Sequence, residues 1–273
     1  MQVLPYKNLQ KSAPKVTFSF MKLPFYRFES VSSTMDTARN LIQQGLSSPA
    51  AVIAQHQTNG RGRIPGRRWE AKPSSSLLTT ILLPVSQVPP EALSLKTGLA
   101  LSIALEEVAG AHGLIDSHFL LKWPNDILAS GDPTDPDSFR KLAGILLEQS
   151  GGWFLIGMGI NLQKEAYPEF LRNSAVSLEE ILGTLWLQDQ GELLIQRTFD
   201  NILAFPSGDE WLSAYISRMW KKGMQIQFTE GHPLHGRVLQ GVLEGIDSSG
   251  QILIRLNDGR FNSYSSGEIS KLQ

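Results

Sequence analysis

A stretch of glycines and arginines, residues 55–69, constrains this sequence more than any other. It holds four arginines and three glycines, and no acidic residue occurs between Asp36 and Glu70. Glycines let the backbone turn and approach a ligand closely, and each arginine offers a planar fork of donors to phosphate or carboxylate oxygens. We therefore predict a loop that is mobile alone and that a polyanion would order. A solvated basic loop or a nucleic-acid patch is the alternative interpretation.

The composition narrows the alternatives. With 273 residues, 41% of them hydrophobic, the chain can form one large globular domain and a small one. The net charge of −1 gives no global field for nucleic acid. The absence of cysteine excludes disulfides, cysteine-ligated zinc and a thiol nucleophile. The sequence contains no run of roughly 18 apolar residues, so no membrane-spanning helix is predicted.

Apolar runs bounded by turn signals predict a mixed α+β domain. Helical spacing of apolar residues predicts helices over 33–45, 91–112, 177–182, 193–203 and 211–220. The predicted strands are 25–28, 50–54, 77–83, 118–122, 140–148 and 153–161.

The periodicity changes at Lys221-Lys-Gly223, after which apolar and polar residues alternate between turn signals. Residues 223–273 are therefore predicted to form a small antiparallel barrel of about five strands. From Lys221 onward there are six Lys and Arg residues against five Asp and Glu, which argues against a DNA-binding module. We predict a tail at 1–24, a main domain at 25–220 and the barrel domain at 221–273.

Polar residues at predicted strand ends are candidates for a ligand site. Ser33 and Thr34 follow the first strand, where Ser33 can cap a helix and both can offer hydroxyls. The strand at 140–148 has a lysine near its start, which gains a role if it faces the same cleft as Asp126. Two glycines in the strand at 153–161 favour close approach of backbone to a ligand.

Five short motifs occur in one order along the chain, and together they resemble the biotin protein ligases. The resemblance covers about residues 25–273, and the shared order is far more specific than any single motif. The sequence Gly267-Glu-Ile-Ser270 also matches the family's terminal domain. The five motifs are Ser33-Thr34, Gln57 with Gly60-Arg-Gly-Arg63 and Trp69, Lys122-Trp-Pro-Asn-Asp126, Lys141-Leu-Ala-Gly-Ile-Leu-Leu-Glu148 and Gly157-Met-Gly-Ile-Asn161.

The resemblance implies a fold and a reaction. The fold is a mixed β-sheet with flanking helices, similar to class II aminoacyl-tRNA synthetases, plus a C-terminal small β-barrel. The reaction joins biotin and ATP into biotinyl-5′-adenylate and then transfers biotin to a lysine of the biotin carboxyl carrier protein of acetyl-CoA carboxylase. Mg2+ is expected with ATP, held mainly by phosphates and water, so no protein metal site is expected.

The resemblance also assigns roles to residues. Hydroxyls and amides suit the uncharged ureido end of biotin, and cations screen the repulsion between its carboxylate and the α-phosphate of ATP. The catalytic residues would be Arg63, Lys141 and Asp126, the last beside the acceptor lysine. The biotin-binding residues would be Ser33, Thr34, Met35, Gln57, Arg61, Gly62, Arg63, Lys141 and Gly144. The nucleotide-binding residues would be Arg61, Arg63, Trp69, Lys122, Asn125 and Asn161, with packing as the alternative for Asn161.

The sequence departs from the family at two places. Five residues separate Arg63 from Trp69, one more than the family commonly has, so Arg67 and Arg68 receive no phosphate role. Met35 stands where many members have asparagine, which leaves packing as its contribution.

The sequence also leads to expectations about the location, the partners and the oligomeric state of the protein. No helix-turn-helix domain precedes residue 25, so we expect a ligase without repressor function. We also expect a cytoplasmic protein with neither DNA nor a membrane as a partner. Related ligases occur as monomers and as dimers, and the sequence leaves a homodimer open. The competing functions are a lipoate–protein ligase, a non-catalytic biotin-dependent regulator and a nucleic-acid binder.

Overall fold

The computed structural model of the chain describes residues 21–114, 118–186, 190–205 and 209–270. Most of the predicted N-terminal tail, residues 1–20, lies outside them. The end of that predicted tail belongs to the core, because Leu23 is buried and its backbone N–H donates to Gln196 at 2.8 Å.

The described residues form strands and helices in the order that the apolar runs predict, with a further strand at Asp126–Ala129 that those runs do not predict and one 3-10 helix at Glu169–Leu171. The helices are α1 (Thr34–Gln43), α2 (Leu93–Ala111), α3 (Leu178–Leu182), α4 (Gly191–Ala204) and α5 (Glu210–Ser217). The strands are β1 (Phe25–Val31), β2 (Ala50–Gln57), β3 (Ser76–Pro84), β4 (Phe119–Lys122), β5 (Asp126–Ala129), β6 (Arg140–Ser150), β7 (Trp153–Asn161), β8 (Gln225–Glu230), β9 (Arg237–Ile246), β10 (Ile252–Leu256), β11 (Phe261–Tyr264) and β12 (Gly267–Ser270).

The first seven strands form one mixed sheet in the order β1-β2-β3-β7-β6-β5-β4. Only β1 and β2 are parallel, and the other neighbours are antiparallel. β3 is buried from Ser76 to Leu83 because helices cover both faces of the sheet. Helix α1 lies on one face with Met35 and Ala38 in the core, α2 packs on the other face, and α4 and α5 pack against α2.

The last five strands form a separate antiparallel sheet in the order β11-β10-β9-β8-β12. This confirms the five predicted strands, and the pairing leaves β11 and β12 as the edges of an open sheet instead of a closed barrel. Trp123 anchors this sheet to the first one, since its ring lies 6.1 Å from that of Phe228 and its Nε1 donates to Gly250 O at 2.9 Å. The two sheets therefore meet beside the Lys122-Trp-Pro-Asn-Asp126 motif.

Helices of the described residues are too short or too polar to span a lipid bilayer.

Candidate active site

The residues singled out from the sequence converge on one cavity of about 150 Å³ on the first sheet, and Glu268 of the second sheet also lines it. Its lining includes the end of β2, the start of β5 and the glycines of β6 and β7. All but one of the predicted site residues line it: Ser33, Thr34, Met35, Gln57, Arg61, Gly62, Arg63, Trp69, Lys122, Asn125, Asp126, Lys141 and Gly144.

A hydroxyl and amide corner forms one side of the cavity, where α1 begins beside the end of β2. Ser33 caps α1 as predicted, and its Oγ accepts from Met35 N at 3.2 Å. Thr34 donates from its backbone N–H and its hydroxyl to Gln57 Oε1, at 2.7 and 3.1 Å. Because Thr34 Oγ1 also accepts from Thr80 Oγ1 at 2.8 Å, both polar side chains are held in one orientation.

The arginine-rich loop forms a second side and adopts a hairpin. Arg61 and Arg68 form a β-bridge, and Gly62 N donates to Arg67 O at 2.9 Å. Arg61 donates to both carboxylate oxygens of Asp36 at 2.8 Å. The hydrogen bonds from Arg61 hold the pKa of Asp36 below its ordinary value, although burial opposes them. One arginine thus links the loop to the first turn of α1.

Two further arginines tie the loop to the second sheet. Arg63 Nη2 donates to Gly267 O at 3.0 Å, and Arg67 contacts both carboxylate oxygens of Glu268 at 3.3 and 3.1 Å. The sequence left Arg67 without a role, and its partner here is an acid of the terminal Gly-Glu-Ile-Ser motif. Sequence reasoning also missed Asp36 as a loop partner. The sequence shows only the like charge inside the loop, whereas the structure adds defined partners for three of its arginines; the mobility of the loop stays a prediction.

Cations and a carboxylate meet at the floor of the cavity. Lys141 Nζ lies 2.7 Å from Asp126 Oδ1 and 5.7 Å from the centre of the Trp69 ring. Lys122 and Asp126 are backbone partners in the pairing of β4 with β5. The Nζ of Lys122 lies 5.6 Å from the centre of the Trp220 ring. Burial lowers the pKa of Lys122, while the charge of Asp126 opposes that shift. Lys141 and Asp126 therefore face one cleft, which is the condition under which the sequence gives Lys141 a role.

Paired glycines make the floor flat enough for a ring. Gly144 of β6 and Gly159 of β7 are direct partners in the sheet. A Cβ at Gly159 would lie 2.5 Å from Trp69 Cε2, and one at Gly144 would lie 3.2 Å from Cζ3 of the same ring. The indole of Trp69 can lie on this floor because Gly159 lacks a side chain, and a side chain at Gly144 would crowd the same ring. Met35 is packed in the same way, since a Cβ at Gly157 would lie 2.8 Å from its Sδ.

Asn161 is the one predicted site residue that does not line the cavity. It is buried, and its Nδ2 donates to Lys141 O at 3.3 Å and to Val176 O at 3.1 Å. Its nucleotide contact stays a prediction. Asn125 lines the cavity, but its Nδ2 donates to Ile145 O at 2.8 Å, so its amide also braces β6.

Comparisons with known proteins agree with this arrangement. The model of the Biotin/lipoate A/B protein ligase family matches residues 27–164, and the model of the Biotin protein ligase C terminal domain matches residues 233–272. The chain is 29% identical over 258 residues to the biotin–[acetyl-CoA-carboxylase] ligase of Mycobacterium tuberculosis, with 90% of each chain covered. It is 30% identical over 233 residues to the enzyme of the same name from Paracoccus denitrificans, covering 79% of this chain and 88% of that protein.

The fold is also similar to that of solved structures. The biotin protein ligase from Aquifex aeolicus in complex with biotin and ATP has a TM-score of 0.72 and 28% sequence identity, over 90% of this chain and 97% of that one. The family match, the long alignments and the shared fold confirm the resemblance seen in the motifs. The chain belongs to the biotin/lipoate A/B protein ligase family and carries the C-terminal domain of the biotin protein ligases.

Proposed function

We propose that the chain is an ATP-dependent ligase that forms biotinyl-5′-adenylate and transfers biotin to a lysine of a biotin carboxyl carrier domain. The observation that carries this proposal is the pairing of two environments in one cavity. A neutral hydroxyl and amide corner suits an uncharged ureido ring, and a cationic floor suits two anions that must approach each other.

In the first step, the carboxylate oxygen of biotin attacks the α-phosphorus of ATP and the bond to pyrophosphate breaks. Both reactants are anionic, so fixed positive charge at the reacting phosphate lowers the barrier. Lys141 Nζ lies at the floor and the guanidinium groups of Arg61 and Arg63 lie on the loop above it. These three cations would bind the carboxylate and the phosphate oxygens and hold them in reach of each other.

In the second step, the acceptor lysine amine attacks the acyl carbon of the adenylate and AMP leaves. The amine must lose a proton for this attack. Asp126 faces the cavity and would accept that proton or orient the amine. The loop over the cavity would shield the mixed anhydride from water.

Magnesium would accompany ATP in this reaction and neutralise charge on the phosphates. Within the described residues, no three carboxylate or histidine side chains lie together as a ready metal site. The ion would therefore be held mainly by phosphates and water, which is its usual mode in nucleotide sites.

The test is isothermal titration calorimetry of the purified protein with biotin and, separately, with lipoate, followed by ATP–pyrophosphate exchange. We expect saturable binding of biotin, no comparable binding of lipoate, and exchange that requires biotin. Exchange that requires lipoate instead would assign the chain to the lipoate branch of its family. Biotin binding without exchange would indicate a non-catalytic regulator.

The arginine-rich loop gives a second expected result. Biotin plus ATP should suppress cutting by trypsin after the arginines at 61–68, because bound anions would add contacts to Arg61 and Arg63. Cleavage after Arg260 is the internal control, since this arginine is 73% exposed on the turn between β10 and β11. Equal cutting of the loop with and without ligands, measured by mass spectrometry, would show that the loop does not close over them.

A further inference from the structure

The start of β6, which carries Lys141, extends past the end of its neighbour β7. Backbone pairing between the two strands starts at Ala143 and Ile160, so β7 offers Lys141 only the side-chain amide of its last residue, Asn161. A segment at 174–176 fills that place. Lys141 N donates to Ser174 O at 2.8 Å, and Val176 N donates to Lys141 O at 2.9 Å. The backbone of Lys141 is thus held on one side by β5, where Leu128 is its partner, and on the other side by a segment that belongs to no strand of the sheet.

A group of three polar side chains fixes this segment. Arg140 Nη1 donates to the carbonyl oxygens of Arg172 and Ala175, both at 3.1 Å, and to Glu180 Oε1 at 3.3 Å. The hydroxyl of Tyr167 donates to Glu180 Oε2. We call Arg140, Tyr167 and Glu180 the clamp.

Glu180 is the centre of the clamp. Its Oε2 also accepts from the backbone N–H and the hydroxyl of Ser177, each at 3.0 Å, which completes a capping box at the start of α3. Only 21% of its side chain is exposed. Burial opposes its charge, but the hydrogen bonds from Tyr167 and Ser177 and the charge of Arg140 still hold the pKa of Glu180 below its ordinary value. The carboxylate thus stays charged beside Arg140 without lining the cavity.

We propose that Glu180 is a positioning residue, which acts through Arg140 and the segment 174–176 to hold Lys141 at the reacting phosphate. The proposal rests on the proposed function, since it assigns Glu180 to the adenylation step. A lysine ammonium is carried by a flexible side chain, so its position depends on how firmly the backbone of the lysine is held. A misplacement of about 1 Å can cost roughly 10²-fold in rate.

The test compares Glu180→Gln with Glu169→Gln. Glutamine can still complete a capping box, so Glu180→Gln keeps the cap of α3 and removes the charge facing Arg140. Glu169 lies on the same connection, is 76% exposed and pairs with Arg172 at 2.6 Å. We expect kcat for ATP–pyrophosphate exchange to fall about 10-fold in Glu180→Gln and to stay at the wild-type value in Glu169→Gln. Both thermal midpoints should lie within about 3 °C of the wild type.

A double-mutant cycle separates positioning from a general structural role. If Glu180 acts through Lys141, adding Glu180→Gln to Lys141→Ala should not lower the residual exchange rate further. The same 10-fold loss in both backgrounds would overturn the proposal, as would an unchanged Glu180→Gln enzyme next to an active wild type. A wild-type protein with no biotin-dependent exchange would overturn the proposed function and this proposal with it.

Discussion

Replacing Lys141 with alanine is expected to lower the rate of biotin-dependent ATP–pyrophosphate exchange by about 10²-fold or more. The ammonium lies on the cavity floor, 2.7 Å from Asp126, where two anionic reactants would meet. Without it, the charge that develops on the phosphorus centre loses a fixed counter-charge, and Asp126, whose side chain is 20% exposed, loses its ion-pair partner. Both changes raise the barrier of the first step.

The matched control is Lys164→Ala. Lys164 is 63% exposed and makes a loose ion pair with Glu179 at 3.7 Å. Such surface pairs contribute little to stability, about 1 kcal/mol or less. Exchange by Lys164→Ala should therefore match the wild type. Near-normal pyrophosphate exchange by Lys141→Ala would contradict the charge-stabilising role.

Asp126→Asn is expected to separate the two steps of the reaction. The variant should still form the adenylate, but transfer to the carrier lysine should fall by about 10²- to 10⁴-fold, because an amide cannot accept the proton of the amine. The measurement is a single turnover in which preformed enzyme-bound adenylate is mixed with a biotin carboxyl carrier domain. Biotin transfer is followed by mass spectrometry.

The pH dependence of the transfer rate tests whether Asp126 accepts the proton of the amine. A free lysine has a pKa of about 10.4, so the fraction of neutral amine rises roughly tenfold per pH unit below that value. If Asp126 takes the proton, transfer by Asp126→Asn should rise with pH more steeply than transfer by the wild type. A variant with the wild-type rate and pH slope would limit Asp126 to holding Lys141 in place.

Much of the fold follows from the local pattern of the sequence. The apolar run with two glycines predicts a strand over 153–161, and β7 spans those residues. The helix predicted over 91–112 runs from Leu93 to Ala111. Periodicity and turn residues are local properties, so they locate elements well. Five motifs in order were enough to find the family, which the comparisons confirm.

The remaining features depend on contacts between distant residues. Nothing near Arg67 in the sequence indicates Glu268, and nothing near Arg61 indicates Asp36. The direction of the Asn161 side chain depends on segment 174–176, which has no periodicity to mark it. The second sheet was predicted as a barrel because alternation indicates strands but does not show whether their edges meet.

The contact between Arg67 and Glu268 also constrains the order in which the molecule folds. The two residues are 201 positions apart, so their pairing closes a very long loop of chain, whose entropic cost grows as the logarithm of its length. We therefore expect this contact to form after the local hairpins of both sheets. A chain whose second sheet has not folded would lose the contacts of Arg63 and Arg67, and its arginine-rich loop would keep those of Arg61 with Asp36 and of Trp69 with the glycine floor. We therefore expect adenylate formation to require a folded second sheet, although Glu268 is the one described residue of that sheet in the cavity lining.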